Sequence, residues 1–101
     1  MAKRYLLVKV VSKFKLPPER FEVALTESVR RCFGEFGLAR IGPRVIRFDA
    51  ARSEAVVACN KEGVEDLQAA IGLVPDQAEG TVTAITTRVS GTLKGLRKQR
   101  F

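Results

Sequence analysis

Histidine is absent from this chain of 101 residues, and its absence limits the chemistry that the chain can perform. Histidine is the usual general acid and base near neutral pH and the commonest metal ligand. Three acids, Glu62, Glu65 and Asp66, open a predicted helix and suit the positive end of its dipole. Nothing nearby supplies a raised pKa, a metal or a nucleophile. We therefore predict no catalytic residue and no metal site.

Cysteines and long apolar runs are also scarce. Cys32 and Cys59 are the only cysteines, and no second pair of ligands lies near them, which argues against a zinc site or a redox motif. Both are predicted to be buried free thiols, because reduced cysteine behaves as a small hydrophobic side chain. No apolar run reaches the length of about 18 residues that a membrane helix needs, and the N-terminal apolar stretch is too interrupted for a signal peptide. We expect a cytoplasmic protein without a membrane segment.

Positive charge is what the chain has in excess, and it is unevenly distributed. Lys and Arg number 18 against 11 acids, which gives a formal net charge of +7. Residues 1–15, 40–52 and 88–101 carry +5, +3 and +5, whereas residues 53–87 carry −5. This segregation predicts one surface for a polyanion and a second, less basic surface for a protein partner.

Hydrophobic periodicity predicts six elements in the order strand, helix, strand, strand, helix, strand. The strands are predicted over residues 5–11, 44–49, 54–60 and 81–89, and the helices over residues 18–36 and 63–74. This order predicts an α+β sandwich of the ferredoxin-like or RRM-like kind, βαββαβ, with two helices on one face of a four-stranded antiparallel sheet. We predict one domain at residues 1–89, followed by a basic C-terminal arm at residues 90–101.

The same periods predict which side chains face the core. In the second strand Ile46 and Phe48 should point inward and Arg47 outward. Gly37 is predicted to end the first helix. The core-facing stripe of that helix is predicted to contain Phe21, Leu25, Val29, Cys32 and Phe36.

Aromatic residues are too few on the predicted central strands for base stacking. Residues 5–11 contain only Tyr5, and residues 54–60 contain no aromatic, whereas an RRM that stacks bases carries aromatics on both strands. Phe14 could stack on a base or pack on the first turns of the following helix. Nucleic acid should therefore be bound through phosphates and shape. The candidate RNA contacts are Lys13, Lys15, Arg40, Arg44, Arg47, Lys94, Arg97, Lys98 and Arg100.

The C-terminal segment, residues 88–101, carries five cations and no acid. On a helical wheel Arg97 and Arg100 fall inside the arc formed by Leu93, Leu96 and Phe101. A packed amphipathic helix is therefore not predicted, and an arm that becomes ordered against phosphates is favoured. A solubilising tail is the alternative.

Four stretches in order resemble a known family. They are RYLLVKV at residues 4–10, SVRRCFGEFGLA at 28–39, IRFDAARSEAVVAC at 46–59 and VSGTLKGLR at 89–97. Together they resemble protein component 2 of archaeal ribonuclease P, and residues 90–94 are the most specific part. The resemblance implies a subunit without catalytic side chains that supports the catalytic RNA in removing the 5′ leader from precursor tRNA. Mg²⁺ would then be bound by the RNA. A barrel-shaped subunit, component 3, would be the protein partner in a heterotetramer.

Two other classes of function are compatible with the composition. A basic DNA-compacting protein would have the same size and charge. A small enzyme on this fold, such as an acyl phosphate hydrolase, would need a glycine-rich phosphate loop after the first strand, and residues 12–20 contain no glycine.

Overall fold

A computed structural model describes residues 2–13, 16–74 and 82–98, and for residues 97 and 98 it describes the backbone alone. The predicted order of elements is confirmed, with two short helical segments added. The predicted connection between the second helix and the last strand, residues 75–80, lies outside the described residues. None of the described helices is long and apolar enough to span a membrane. The elements are β1 (Lys3–Ser12), α1 (Pro18–Ile41), β2 (Arg44–Asp49), β3 (Glu54–Asn60), a 3-10 turn (Lys61–Gly63), α2 (Val64–Gly72), β4 (Val82–Ser90) and α3 (Leu93–Lys98).

The four strands form one antiparallel sheet in the order β2-β3-β1-β4. β1 and β3 are therefore the central strands, and the ferredoxin-like α+β class is confirmed. Helices α1 and α2 cover one face, where alternate residues of β1 are buried against them. Because each strand points every second side chain to the same face, the remaining strand residues line the opposite face, here called the open face. The largest fully buried side chains include Leu6, Phe21, Leu25, Ile41, Leu67 and Ile71.

Helix α1 is longer than predicted and is kinked at Gly34, whose φ of 72° and ψ of −176° are not helical. Its buried row advances in steps of four residues through Phe21, Leu25 and Val29, and then through the half-buried Phe33 to the buried Gly37 and Ile41. Each step turns this row by about 40° around the helix. The predictions for Cys32 and Phe36 are therefore wrong, since both are exposed.

The end of α1 is also set by a different glycine from the one predicted. Gly37 lies buried inside the helix, and the helix continues to Ile41. Gly42 adopts the left-handed conformation, with φ 58° and ψ 50°, and its N–H donates to the Leu38 carbonyl at 2.9 Å. This arrangement is a glycine C-cap, so Gly42, and not Gly37, ends α1.

A bulge in β2 changes the alternation of its side chains. The register with β3 shifts between Val45 and Arg47, so that Ile46 is an extra residue. Val45 and Phe48 pack against the core, whereas Ile46 is 49% exposed. A bulge re-aims side chains in this way. The prediction that Ile46 points inward is wrong, and the outward orientation of Arg47 is confirmed by its exposure and its register.

Candidate nucleic-acid interface

The residues between β4 and α3 form a cap for the short C-terminal helix. The Oγ1 atom of Thr92 accepts a hydrogen bond from the Gly95 N–H at 2.9 Å, and Ser90 Oγ accepts one from the Thr92 N–H at 3.2 Å. Side-chain oxygens before a helix satisfy N–H groups that have no partner inside it. Ser90 and Thr92 therefore have a structural role. A packed helix was not predicted for the C-terminal segment, and this is corrected by the structure, in which Leu93–Lys98 is helical and Leu96 is buried.

Helix α3 lies against the open face beside β1 and β4. Leu96 is 3% exposed, whereas Leu93 is 42% exposed. One buried leucine anchors a helix of six residues. The mixture of cationic and apolar residues on the helical wheel of residues 88–101 therefore does not prevent this short helix from docking on the sheet. Gly95 permits the close approach, because a Cβ atom at this position would overlap Ser90 Oγ.

The register of the strands fixes the rows of side chains on the open face. One row ends at the junction with α3, and the next two rows lie progressively farther from it. Leu7 and Ala58 are buried on this face, and Leu7 lines a pocket together with Leu93 and Leu96 of α3. The three rows are Arg44, Ala58, Tyr5 and Ser90; Arg47, Val56, Leu7 and Arg88; and Asp49, Glu54, Lys9 and Ile85.

Charge is segregated between the two layers of the fold. The four strands and α3 contain nine cations and two acids, whereas α1, the 3-10 turn and α2 contain five cations and seven acids. The cations of the first group are Lys3, Arg4, Lys9, Arg44, Arg47, Arg88, Lys94, Arg97 and Lys98. A polyanion is therefore attracted to the sheet side and α3, and repelled by the helical layer.

Two of the arginines described in the helical layer, Arg30 and Arg40, are paired with acids. Arg30 contacts Glu27 and, across the kink, both carboxylate oxygens of Glu35 at 3.1 Å. The hydrogen bond that Arg30 donates to Glu35, and then the charge of Glu27, raise the pKa of Arg30 above its ordinary value. Arg40 donates to Asp66 on α2 at 2.7 Å. These pairs reduce the attraction of the helical layer for phosphate.

Arg40 also belongs to a polar network at the end of α1. The Asn60 side-chain amide donates to the Arg40 carbonyl at 2.8 Å and accepts a hydrogen bond from Lys3 Nζ at 3.2 Å. With the Asp66 pair, this network joins α1 to α2, β3 and β1. The position of Arg40 is thus explained by intramolecular contacts.

The structure brings together only part of the predicted set of RNA contacts. Arg44 and Arg47 lie on the open face of β2, and Lys94 is exposed on α3, on the same side of the sheet. Lys13 follows the end of β1 that is remote from α3, and Arg40 belongs to the helical layer. The part of the chain that the structure describes does not include Lys15, Arg100, Phe14 or the side chains of Arg97 and Lys98.

Lys9 and Arg88 lie on the open face and were not among the predicted contacts. Lys9 is exposed on β1, and its register pairs it with Glu54 on one side and Ile85 on the other. Arg88 lies beside Leu7 in the next row. The alternation of β1 already indicates the face of Lys9. The face of Arg88 depends on a bulge in β4 beside Thr87, which no sequence pattern indicates.

Comparisons with known proteins agree on one family. A model described as the Rpp14/Pop5 family matches residues 4–100. Ribonuclease P protein component 2 of Pyrococcus furiosus is 29% identical, and the match covers 96% of this chain and 81% of that protein. Its counterpart from Aeropyrum pernix is 33% identical, with 92% of this chain and 77% of that protein covered. A chain in a cryo-EM structure of yeast ribonuclease MRP has the same fold, with a TM-score of 0.67, 16% identity and coverage of 91% and 76%.

Proposed function

Because the chain belongs to the Rpp14/Pop5 family, we propose that it is an RNA-binding protein subunit of ribonuclease P that acts in the cytoplasm. Its role is to support the catalytic RNA while the 5′ leader of precursor tRNA is removed. The chemistry belongs to the RNA and its Mg²⁺ ions. The observation that carries this proposal is the family match over residues 4–100, together with the concentration of cations on one side of the fold.

Phosphate contact through the sheet side and α3 is the mode of binding that the geometry supports. Arg44, Arg47 and Lys94 lie on this side, and Lys9 extends the set across β1. Helix α3 lies against the sheet beside β1 and β4, and β1 is one of the two central strands on which an RRM would stack bases. We therefore propose that the subunit recognises the backbone and shape of folded RNA, with Arg40 holding the helices together instead of contacting RNA.

A salt series with matched variants tests this proposal. The purified chain is combined with the ribonuclease P RNA, and RNA affinity and precursor tRNA cleavage are measured. Replacing Arg44 and Arg47 by Gln should reduce the slope of log affinity against log salt by about 0.7 to 0.9 for each lost phosphate contact. The control replaces Arg20 and Arg31, which are exposed on α1, and removes the same charge.

Equal losses in both double variants would contradict the assignment of a specific RNA face. Cleavage of precursor tRNA by the protein alone would contradict a subunit without catalytic side chains. The alternative of a DNA-compacting protein is not favoured by the family match. It predicts that duplex DNA competes with the structured RNA at equal salt, whereas our proposal predicts that the RNA is preferred.

We also propose that the helical layer meets the protein partner, a barrel-shaped component 3 subunit, in a heterotetramer. The support for this assignment is electrostatic. The helical layer carries more acids than cations, so it is poorly suited to RNA, and it lies on the opposite side of the fold from Arg44, Arg47 and Lys94.

A further inference from the structure

Two cations at the start of β1, Lys3 and Arg4, have no place in the RNA contacts proposed above. Lys3 is exposed and Arg4 is half-buried. Lys3 Nζ donates to Asn60 Oδ1 at 3.2 Å, and Arg4 NH1 donates to the Lys3 carbonyl at 3.0 Å. Both acceptors are neutral oxygen atoms. Within the described part of the chain, neither cation forms an ion pair with an acid, unlike Arg30 and Arg40. Their charge is therefore not neutralised inside the molecule.

The Asn60 side chain determines where the ammonium group of Lys3 lies. Its amide nitrogen donates to the Arg40 carbonyl at 2.8 Å, so its oxygen is turned toward Lys3. Because Asn60 is only 9% exposed, this acceptor has little freedom to move. An ammonium group has three N–H donors, and the contact with Asn60 uses one of them. Lys3 is thus held in place before an anion binds, which lowers the entropic cost of binding.

Arg4 lies beside the junction between β4 and α3. Tyr5 is opposite Ser90 in the β1–β4 register, so Arg4 is level with Gly91. A Cβ atom at the exposed Gly91 would lie 3.4 Å from Arg4 NH1, which shows how near the guanidinium is to this glycine. A guanidinium group has five N–H donors and binds phosphate through pairs of them. The bond to the Lys3 carbonyl leaves most of these donors for a ligand.

The two ends of the sheet differ in charge. At the end where β2 ends and β3 begins, the acids Asp49 and Glu54 offset much of the charge of Lys9, Lys13 and Arg52. At the end where β1 begins, two acids adjoin the sheet, and one of them, Asp66, is already paired with Arg40. The other is Glu62, and the cations at this end are Lys3, Arg4, Arg44, Lys61 and Lys94. This end is therefore the more positive one, and it attracts a polyanion more strongly.

The thiol of Cys59 responds to the same two cations. Cys59 is buried opposite Arg4 in the β1–β3 register. Burial raises its pKa, and the charges of Lys3 and Arg4 lower it in part. Nearby positive charge stabilises a thiolate in this way. The two cations thus exert an electrostatic effect on their surroundings, as expected of charges that no acid neutralises.

We infer that Lys3 and Arg4 bind phosphates of the RNA, whose backbone crosses the end of the sheet where β1 begins. The inference deepens the proposed RNA-binding role and rests on it. Arg44 lies in the row of Tyr5, next to the end row that contains Lys3. Lys94 follows the β4–α3 junction, beside which Arg4 lies. The two added contacts therefore continue those of Arg44 and Lys94, and they position the RNA without reading its sequence.

A salt series on the intact chain with the ribonuclease P RNA tests this inference. The double variant Lys3→Gln, Arg4→Gln should lower the steepness of log affinity against log salt by about 1.4 to 1.8, twice the value for one phosphate contact. The double variant Lys3→Arg, Arg4→Lys keeps both charges and should keep the steepness of the wild type. The control replaces Arg20 and Arg31, which are exposed on α1, by Gln and should also keep it.

Amide NMR locates the contact. Titration of the intact chain with an oligouridylate at low salt should shift the signals of Lys3, Arg4 and Gly91 in a saturable manner. The Gly91 shift should be lost in the double variant Lys3→Gln, Arg4→Gln. Inorganic phosphate at the same concentration of phosphate groups should shift these signals far less, because a single anion lacks the neighbouring contacts of a chain. Equal shifts with inorganic phosphate would assign the site to a free anion and overturn the inference.

Two further results would overturn it. The first is an unchanged salt dependence in the double variant Lys3→Gln, Arg4→Gln. The second is an equal loss in the variant that keeps both charges, since this would show that the side chains act through the fold alone. If the Arg44 and Arg47 double variant lowers the steepness and the Lys3 and Arg4 variant does not, only this inference fails. A wild type whose RNA affinity is independent of salt would contradict the proposed function itself.

Discussion

Two phenylalanines of one helix show how differently single residues contribute to this molecule. Phe21 is fully buried, and its ring centroid lies 5.6 Å from that of Phe48, whereas Phe36 is 94% exposed. Phe21→Ala should lower the free energy of unfolding by about 3 to 5 kcal/mol. Phe36→Ala should change it by about 0.5 kcal/mol or less. Urea unfolding measures both changes, and a large loss for Phe36→Ala would show that another surface covers this ring.

The two thiols differ in the same way. Cys59 is buried, and burial raises its pKa above the ordinary value, although the charges of Lys3 and Arg4 lower it in part. Above about pH 8.5, the unfolded chain loses this proton while the folded chain keeps it. The Cys59 contribution to stability is therefore fully present below the ordinary thiol pKa and is lost as the pH rises through the raised value.

The raised pKa of Cys59 leads to a prediction about stability at alkaline pH. The unfolding free energy of the wild type should fall more steeply with rising pH than that of Cys59→Ala, as measured by urea unfolding at several pH values. Cys32→Ala is the control, because Cys32 is exposed, and its slope should match that of the wild type. Identical slopes for wild type and Cys59→Ala would contradict the predicted linkage.

At the scale of elements, the contact between α1 and the 3-10 turn depends on a glycine. A Cβ atom at Gly63 would lie 2.9 Å from both Cα and Cγ1 of Ile41, which is fully buried. Gly63→Ala should therefore cost about 1 to 3 kcal/mol through overpacking. Gly72, the last residue of α2, has open space around its Cα, so Gly72→Ala should be neutral or stabilising by up to about 1 kcal/mol. Thermal unfolding compares the two, and equal effects would contradict this explanation.

The regular strands were predictable because alternation and polar turns encode them locally. β2 and β3 begin and end at the predicted residues. The bulge at Ile46 was not predictable, since an extra residue changes the facing of its neighbours without changing the local composition. The course of α1 was not predictable from the sequence. Buried residues four positions apart have nearly the same sequence pattern as those of a straight amphipathic helix, and the pattern does not indicate the kink at Gly34.

The candidate site was predictable in its charge but only partly in its geometry. The basic segments identified Arg44, Arg47 and Lys94 as candidate contacts. The pairing of Arg40 with Asp66 joins residues 26 positions apart in the chain, so local patterns do not reveal it. The pocket beneath α3 combines residues from β1, β2, β3 and α3, and it exists only once the C-terminal segment has folded onto the sheet.

For the molecule as a whole, the separation of charge between the two layers predicts that its two faces act independently. Replacing Glu62 and Glu65 by Lys reverses charge on the helical layer without removing Asp66, the partner of Arg40. Affinity for the component 3 subunit should fall while affinity for the ribonuclease P RNA does not, as measured by titration of each partner. The Arg44 and Arg47 double variant should show the opposite pattern. Parallel losses in both assays would contradict independent faces.

The strand order also determines when this chain can fold. β1 is hydrogen-bonded to both β3 and β4, and its Tyr5 pairs with Ser90 across 85 positions of sequence. Contacts of such long range require the loss of much chain entropy before they form, and they slow folding. During synthesis, β1 remains without one of its two neighbours until residue 90 has left the ribosome. The nascent chain therefore exposes at least one unpaired edge of this central strand for most of its translation.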